Sequence, residues 1–285
     1  MRYPILAVAA LFSATPAFAQ DETATDIARA DVASEGEARL SIGLGVAYLP
    51  DYEGSNDKRF TPLPAANGTV AGMSFTVLGN RASLDVIPEV AGKDWNFQLG
   101  PVAVINLNRT NRDAIHDPRV AALGEIDTAV EVGGYVGIGK TGILHDYDTF
   151  SISASYRYDV TKIHKSGIIT PSVAYTTPLS TKALVGLFAS AEIVEDEYAR
   201  TYFGVTPTGS IASGLPVFTP KGGQKNINLS GMFTYALTGD LTKGVALVTG
   251  FNYSKLVGDF ADSPIVSIAG SRHNWTIGAG LALTL

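Results

Sequence analysis

Four histidines, His116, His145, His164 and His273, are the side chains of this 285-residue chain best suited to acid–base or metal chemistry, and their spacing argues against both. No two of them stand at metal-ligand spacing, and a chain without cysteine has neither a thiolate ligand nor a disulfide. A hydrolytic site at a lipid-facing rim would need a serine or a water activated by histidine. His273, followed by Asn274, is the one candidate, and no serine partner can be assigned to it. The run His145-Asp146-Tyr147-Asp148 lacks the spaced carboxylates and the glycine of a calcium loop, so it reads as a polar turn. Gly133-Gly134-Tyr135-Val136-Gly137-Ile138-Gly139 has the glycines of a phosphate loop but no following helix, and reads as strand in which glycine permits bending or close packing. The expectation is a non-enzymatic protein with no catalytic, cofactor or metal residues, its histidines solvated in loops and a turn.

The charged residues become informative once the elements that carry them are read. In residues 273–285, Trp275, Ile277, Ala279, Leu281, Leu283 and Leu285 fall on one face of a strand, and Asn274, Thr276, Gly278, Gly280, Ala282 and Thr284 on the other. Strand side chains alternate with period two, so an oily face backed by small polar residues suits a sheet with hydrocarbon outside and water inside. The pattern recurs through Leu40, Ile42, Leu44, Val46 and Tyr48, through Trp95, Phe97 and Leu99, through Phe150, Ile152, Tyr156 and Tyr158, and through Ile227, Leu229, Phe233 and Tyr235. It predicts twelve strands, at 39–48, 59–66, 70–78, 82–89, 95–107, 126–139, 149–159, 167–177, 183–193, 226–237, 244–256 and 273–285. The fold class is therefore all-β, a single antiparallel transmembrane β-barrel.

An even strand count puts both termini on one side, the periplasm in single-chain outer-membrane barrels. The connections sort accordingly. Segments 49–58, 79–81, 108–125, 160–166, 194–225 and 257–272 fall outside and four of them are long, whereas the periplasmic turns are all short, as barrel insertion requires. Tyr48, Tyr156, Tyr158, Tyr253 and Trp275 mark an outer aromatic girdle, and Trp95, Phe97, Phe150, Tyr175 and Tyr235 a periplasmic one.

By this alternation Asp85, Glu131, Arg157, Asp159 and Glu192 point into the lumen, away from a lipid face where charge is costly. A hairpin of the sixth and seventh strands centred near residue 144 sets Glu131 directly opposite Arg157 and predicts an ion pair, which would either brace the wall or narrow the bore. Twelve strands leave a modest bore that side chains and loops can fill, so conductance is expected to be low or absent.

Residues 1–19 carry Arg2, an apolar run at 5–12 and Ala17-Phe18-Ala19, the signature of a secretory signal peptide. Residues 20–38, rich in acid and alanine, are expected to form a disordered periplasmic tail, the alternative being a short helix that plugs the lumen. Residues 39–285 make the barrel. With 27 acidic against 21 basic residues and the basic ones scattered, nothing points to nucleic acid.

Four motifs carry a resemblance. Pro50-Asp51-Tyr52-Glu53-Gly54-Ser55 in the first outer loop, Gly100-Pro101 within a strand, Tyr202-Phe203-Gly204-Val205 in the longest loop and Asp262-Ser263-Pro264-Ile265-Val266 before the last strand resemble the MipA/OmpV family of outer-membrane proteins, over about residues 38–285. The resemblance implies a Gram-negative outer-membrane location in contact with outer-membrane lipid. One member type is described as a scaffold that brings a lytic murein transglycosylase and a murein synthase together, which would make those enzymes the partners. Other members are described as porin-like channels or surface adhesins, so the resemblance leaves the role open.

Overall fold

The computed structural model describes residues 39–70, 72–88 and 94–285. The expectations for the signal peptide, 1–19, and for the acidic tail, 20–38, lie outside the described residues. Twelve strands run β1 (Arg39–Pro50), β2 (Lys58–Val70), β3 (Met73–Leu78), β4 (Arg81–Asp85), β5 (Trp95–Asn106), β6 (Ala129–Thr141), β7 (Thr149–Asp159), β8 (Gly167–Ser180), β9 (Ala183–Val194), β10 (Gly223–Ala236), β11 (Gly244–Leu256) and β12 (His273–Thr284). Each pairs antiparallel with its sequence neighbours, and β1 pairs with β12 from Ser41 opposite Thr284 to Tyr48 opposite Ile277, so the sheet closes without a free edge. Closure is what lets strands cross hydrocarbon, since it gives each strand a neighbour on both sides for its backbone N–H and C=O groups.

The apolar face is on the outside. Leu281, Ile152 and Phe251, which a two-sheet sandwich would bury, are 53%, 51% and 44% exposed, while Asn228, Ser230 and Thr234 face inward and are buried. Lys140 lies 5.4 Å from the Trp95 ring and Lys58 lies 5.6 Å from that of Tyr48, cations over aromatics at opposite strand ends. The sheet bends tightly in places. A Cβ on Gly133 would lie 1.8 Å from the Tyr156 carbonyl oxygen, and one on Gly100 1.7 Å from that of Leu84, so at both positions only glycine lets the neighbouring backbone approach.

Two expectations of register and boundary are corrected. Glu131 stands opposite Asp159, and Gly133 opposite Arg157, because the β6–β7 turn is centred on residue 145 rather than 144. The tenth strand begins at Gly223 instead of residue 226, with a bulge between Gln224 and Asn226. A bulge adds one residue to one strand and re-aims its side chain, and here both Lys225 and Asn226 become buried.

The long outer connections are folded. The third holds a 3-10 turn at Arg112–Ala114 and helix α1 (Pro118–Ala121), the fifth holds α2 (Asp196–Phe203) and α3 (Pro207–Ser213), and the sixth holds α4 (Gly258–Asp262) and α5 (Pro264–Ser267). On α2, Tyr198, Ala199, Tyr202 and Phe203 make the i, i+3, i+4 stripe of an amphipathic helix and are buried. Gly204 ends this helix where a Cβ would lie 2.4 Å from the Arg200 carbonyl oxygen.

Candidate functional site

The charges that alternation sends inward meet in the outer half of the lumen as a chain of alternating sign. Arg157 on β7 donates from Nε to Glu131 Oε2 on β6 at 2.7 Å and from Nη2 to Glu192 Oε1 on β9 at 2.5 Å. Lys225 Nζ on β10 lies 2.5 Å from Glu192 Oε2 and 2.5 Å from Glu53 Oε1 of the first outer loop. Glu131 and Arg157 thus pair despite not being directly opposite, because same-face residues two positions off register remain within reach of a long side chain. The side chains of Arg157, Glu131, Glu192 and Lys225 are fully buried. Buried ions of this kind persist only when paired and further hydrogen-bonded. Asn106 Nδ2 donates to Glu131 Oε1 at 3.0 Å, Arg157 Nη1 to Thr170 Oγ1 at 3.1 Å, and Asn226 Nδ2 to Glu192 Oε2 at 3.2 Å.

The other two inward carboxylates do different work. Asp159 accepts backbone N–H bonds from Thr161, Lys162, His164 and Lys165, which folds the β7–β8 loop back over the bore. Asp85 Oδ1 accepts from Ile87 N at 3.1 Å and Leu99 N at 3.2 Å and ties β4 to β5. The loop ordered by Asp159 overturns the expectation that the histidines are all solvated. His164 is 1% exposed, its Nε2 lies 3.2 Å from Glu131 Oε1, and its ring packs against Tyr198 and Tyr202. His116, by contrast, keeps a 60% exposed side chain beside Asp51.

Above the ion chain lies a lid, and three of the four motifs converge on it. Tyr52 Oη donates to the carbonyl oxygen of Ala269 at 3.0 Å and, more weakly, to that of Ile265 at 3.4 Å. Gly54 O accepts from Ser271 N at 2.8 Å, and a Cβ on Gly54 would strike Val266 Cγ2 at 2.6 Å. Ser263 Oγ donates to the Phe203 carbonyl oxygen at 2.6 Å, joining the Asp262-Ser263-Pro264 segment to Tyr202-Phe203-Gly204. Pro50 ends β1 and Ser55 is buried in the first loop, whereas Asp262 is exposed, 3.9 Å from Arg272. Beneath these bonds two apolar clusters form, one around Tyr198, Tyr202, Phe203 and Phe260, the other around Tyr52, Val120, Leu215 and Ile265. Burial drives the Tyr52, Tyr198 and Tyr202 hydroxyls well above the ordinary tyrosine range, so all three stay protonated. Burial likewise lowers Arg109 to about 10, and it remains a cation donating to the Tyr202 and Gly124 carbonyl oxygens. Glu53 is raised by burial, which Lys225 opposes.

Lys225 and Glu53 complete the site and were not singled out from the sequence. The bulge that turns Lys225 inward leaves no mark on the alternation, and Glu53 is one of several charges in a turn, with Asp51, Asp57 and Lys58 beside it. Beside the ion chain, along β10, β11, β12, β1 and β2, runs an unfilled cavity of about 260 Å³ whose lining extends from Tyr52, Glu53, Asn226 and Asn274 at the outer end to Ser41 and Thr234 toward the periplasm. An apolar cluster of Leu184, Phe188, Met232 and Leu241 lies at its periplasmic side.

Such an arrangement defines an outer-membrane β-barrel with a folded lid and a lumen obstructed at its outer end. A family model described as MltA-interacting protein MipA matches residues 42–285, and the chain belongs to that family. Comparison with curated proteins found no match. Among solved structures, the chain is similar to the NanC porin, at 9% identity with a TM-score of 0.49, covering 86% of this chain and 100% of that one. It is also similar to an outer-membrane channel of Pseudomonas putida, at 10% identity with a TM-score of 0.47, covering 89% and 97%. A third is the Acinetobacter baumannii outer-membrane channel DcaP, at 9% identity with a TM-score of 0.38, covering 89% and 99%.

Proposed function

We propose that this chain is a non-enzymatic, non-conducting scaffold of the outer membrane that holds a murein transglycosylase, and through it a murein synthase, on the periplasmic side. The observation that carries this reading over a porin-like channel is the occupied outer lumen, where five linked charges and two apolar clusters stand across the path a solute would take. The family's description as MltA-interacting supports the partner.

The β6–β7 turn offers one periplasmic contact. Asp148 accepts from the backbone N–H of Ile143 at 2.7 Å and Leu144 at 2.9 Å and from Tyr175 Oη at 2.9 Å, and the turn so fixed presents Leu144 and Tyr147, 71% and 77% exposed. This is small against the roughly 800 Å² per partner of a standard interface, so the turn acts as an anchor within a larger contact. The test is cross-linked capture of a lytic murein transglycosylase from envelopes carrying the wild-type chain or Leu144→Asp with Tyr147→Asp, alongside planar-bilayer conductance. Capture by the wild type, its loss in the double variant and a silent bilayer are expected. A large steady conductance with no captured murein enzyme would overturn the scaffold reading in favour of a channel.

A further inference from the structure

We propose that the lipid-facing outer rim of β11, β12, β1 and β2 is a binding site for the phosphorylated glycolipid of the outer leaflet, a headgroup of the lipid A type with a phosphate at each end of its sugar backbone. On three of these four strands the outward face carries the same order, a ring and then, one step further out, a basic side chain. Lys58 stands two residues outside Phe60 on β2, Lys255 two outside Tyr253 on β11, and His273 two outside Trp275 on β12. Side chains two apart on a strand share a face, so each base overhangs its ring. The fourth strand adds Tyr48 to the ring row.

The ladder makes the two rows continuous. Lys255 is opposite His273, Tyr253 is opposite Trp275, and Tyr48 is opposite Ile277 on one side and Phe60 on the other. The Tyr253 and Trp275 ring centres are 4.7 Å apart, Phe251 lies 6.3 Å from Trp275, and Tyr48 lies 4.9 Å from Phe60. At the outer ends of β5, β6, β9 and β10 the lipid face carries Ile105, Val132, Ile193 and Ile227 instead, and on β7 the residue outside Tyr156 and Tyr158 is Val160. Rings at this depth are the general habit of membrane proteins, whereas bases aligned just beyond them on neighbouring strands are what anionic headgroups require.

These bases are available to a ligand. Among the described residues neither Lys58 nor Lys255 forms an ion pair, and Lys58 lies over the Tyr48 ring. Tyr253 Oη and His273 Nδ1 are 2.6 Å apart, and a hydroxyl that donates to Nδ1 leaves the imidazole hydrogen on Nε2, free to donate outward. The nearby acids are loop residues: Asp57 precedes Lys58, and Asp262 faces Arg272 at 3.9 Å. Three strand spacings, about 14 Å, separate the Lys58 and Lys255 backbones, with His273 between them. A single phosphate occupies one end of such a row; a sugar backbone with a phosphate at each end spans it, and the rings beneath meet its acyl chains. This inference is independent of the scaffold reading.

The chain has two tryptophans, Trp275 in the site and Trp95 at the opposite girdle, so Trp95→Phe leaves one reporter. The full chain carrying that change, folded in non-ionic detergent micelles, is titrated with lipid A bearing two phosphates, with its monophosphorylated form and with phosphatidylglycerol. A saturable shift of the Trp275 emission is expected with the first and at least fivefold weaker binding of the other two. Lys58→Gln combined with Lys255→Gln should weaken the first at least fivefold, and Lys140→Gln at the periplasmic girdle should leave it unchanged. Heat-modifiable gel mobility establishes that each variant is folded. No saturable shift, an unchanged affinity in the double variant, an equal loss in Lys140→Gln, or equal binding of either one-phosphate lipid would each overturn the proposal.

Discussion

The two ends of one lumen are built on opposite principles. The outer end is filled by long charged side chains, each held by two or more partners, under a lid with its own apolar core. The rest of the lumen, along β10, β11, β12, β1 and β2, is lined largely by glycine, alanine, serine and asparagine and keeps about 260 Å³ empty. Both ends sit on the same strands: Glu192 and Phe188 share β9, and Lys225 and Thr234 share β10. What closes the barrel is therefore side-chain volume and loop folding, independent of strand number.

This contrast sets the order of mutational effects. Removing the hub of the ion chain should do the most damage: Arg157→Ala leaves Glu131 buried without its guanidinium and Glu192 with Lys225 as its remaining cation, and should cost about 3–5 kcal/mol in urea unfolding. Ser230→Ala, on the cavity wall, should stay near 1 kcal/mol, the value of one hydrogen bond to Asn252. Glycines divide the same way. Gly133→Ala meets the Tyr156 carbonyl oxygen and should cost about 1–3 kcal/mol, whereas Gly278→Ala finds its nearest atom at 3.5 Å and should be tolerated. Equal losses at both glycines would erase the distinction between a packed and an open half.

Smaller effects probe the lid. Tyr52→Phe removes the hydroxyl that ties the first outer loop to the last one and should cost about 1 kcal/mol, with faster proteolysis of the outer loops as the readout. Asp117 caps α1, and its side-chain bond to Arg119, followed by the Arg119 and Val120 backbone N–H groups, holds its carboxyl below its ordinary value of 3.8. A depressed folded-state pKa contributes stability that is present above 3.8 and is lost as pH falls through the lower folded value. Asp117→Ala should therefore destabilise the lid by about 1 kcal/mol at neutral pH, and the difference should shrink below pH 3.8. A difference that grew on acidification would contradict the capping geometry.

The barrel was legible in the sequence because its cause is local. Alternation in Trp275, Ile277 and Leu281 follows from lipid on one side and lumen on the other, and it recurs in β1, β5, β7 and β10. Asp85, Glu131, Arg157, Asp159 and Glu192 were placed inward by the same parity and are all buried. What parity could not give is partner choice. A turn centre displaced by one residue moved Arg157 from opposite Glu131 to opposite Gly133, and only three-dimensional reach restored the contact. The bulge between Gln224 and Asn226 hides Lys225 from the alternation, and no local signal marks His164 as buried, because the fold-back of its loop depends on Asp159 collecting four backbone N–H groups. The motifs at 50–55, 202–205 and 262–266 were visible as turn residues with an anchor. That they close on one another is a property of the lid.

Sidedness of the cavity is the claim on which the rest depends. An impermeant maleimide applied to cells carrying Thr276→Cys measures it. The account predicts that the cysteine is protected in intact cells and labelled once the outer membrane is permeabilised, because the ion chain and the lid obstruct the outer end of the lumen. Equal labelling of intact and permeabilised cells would contradict it.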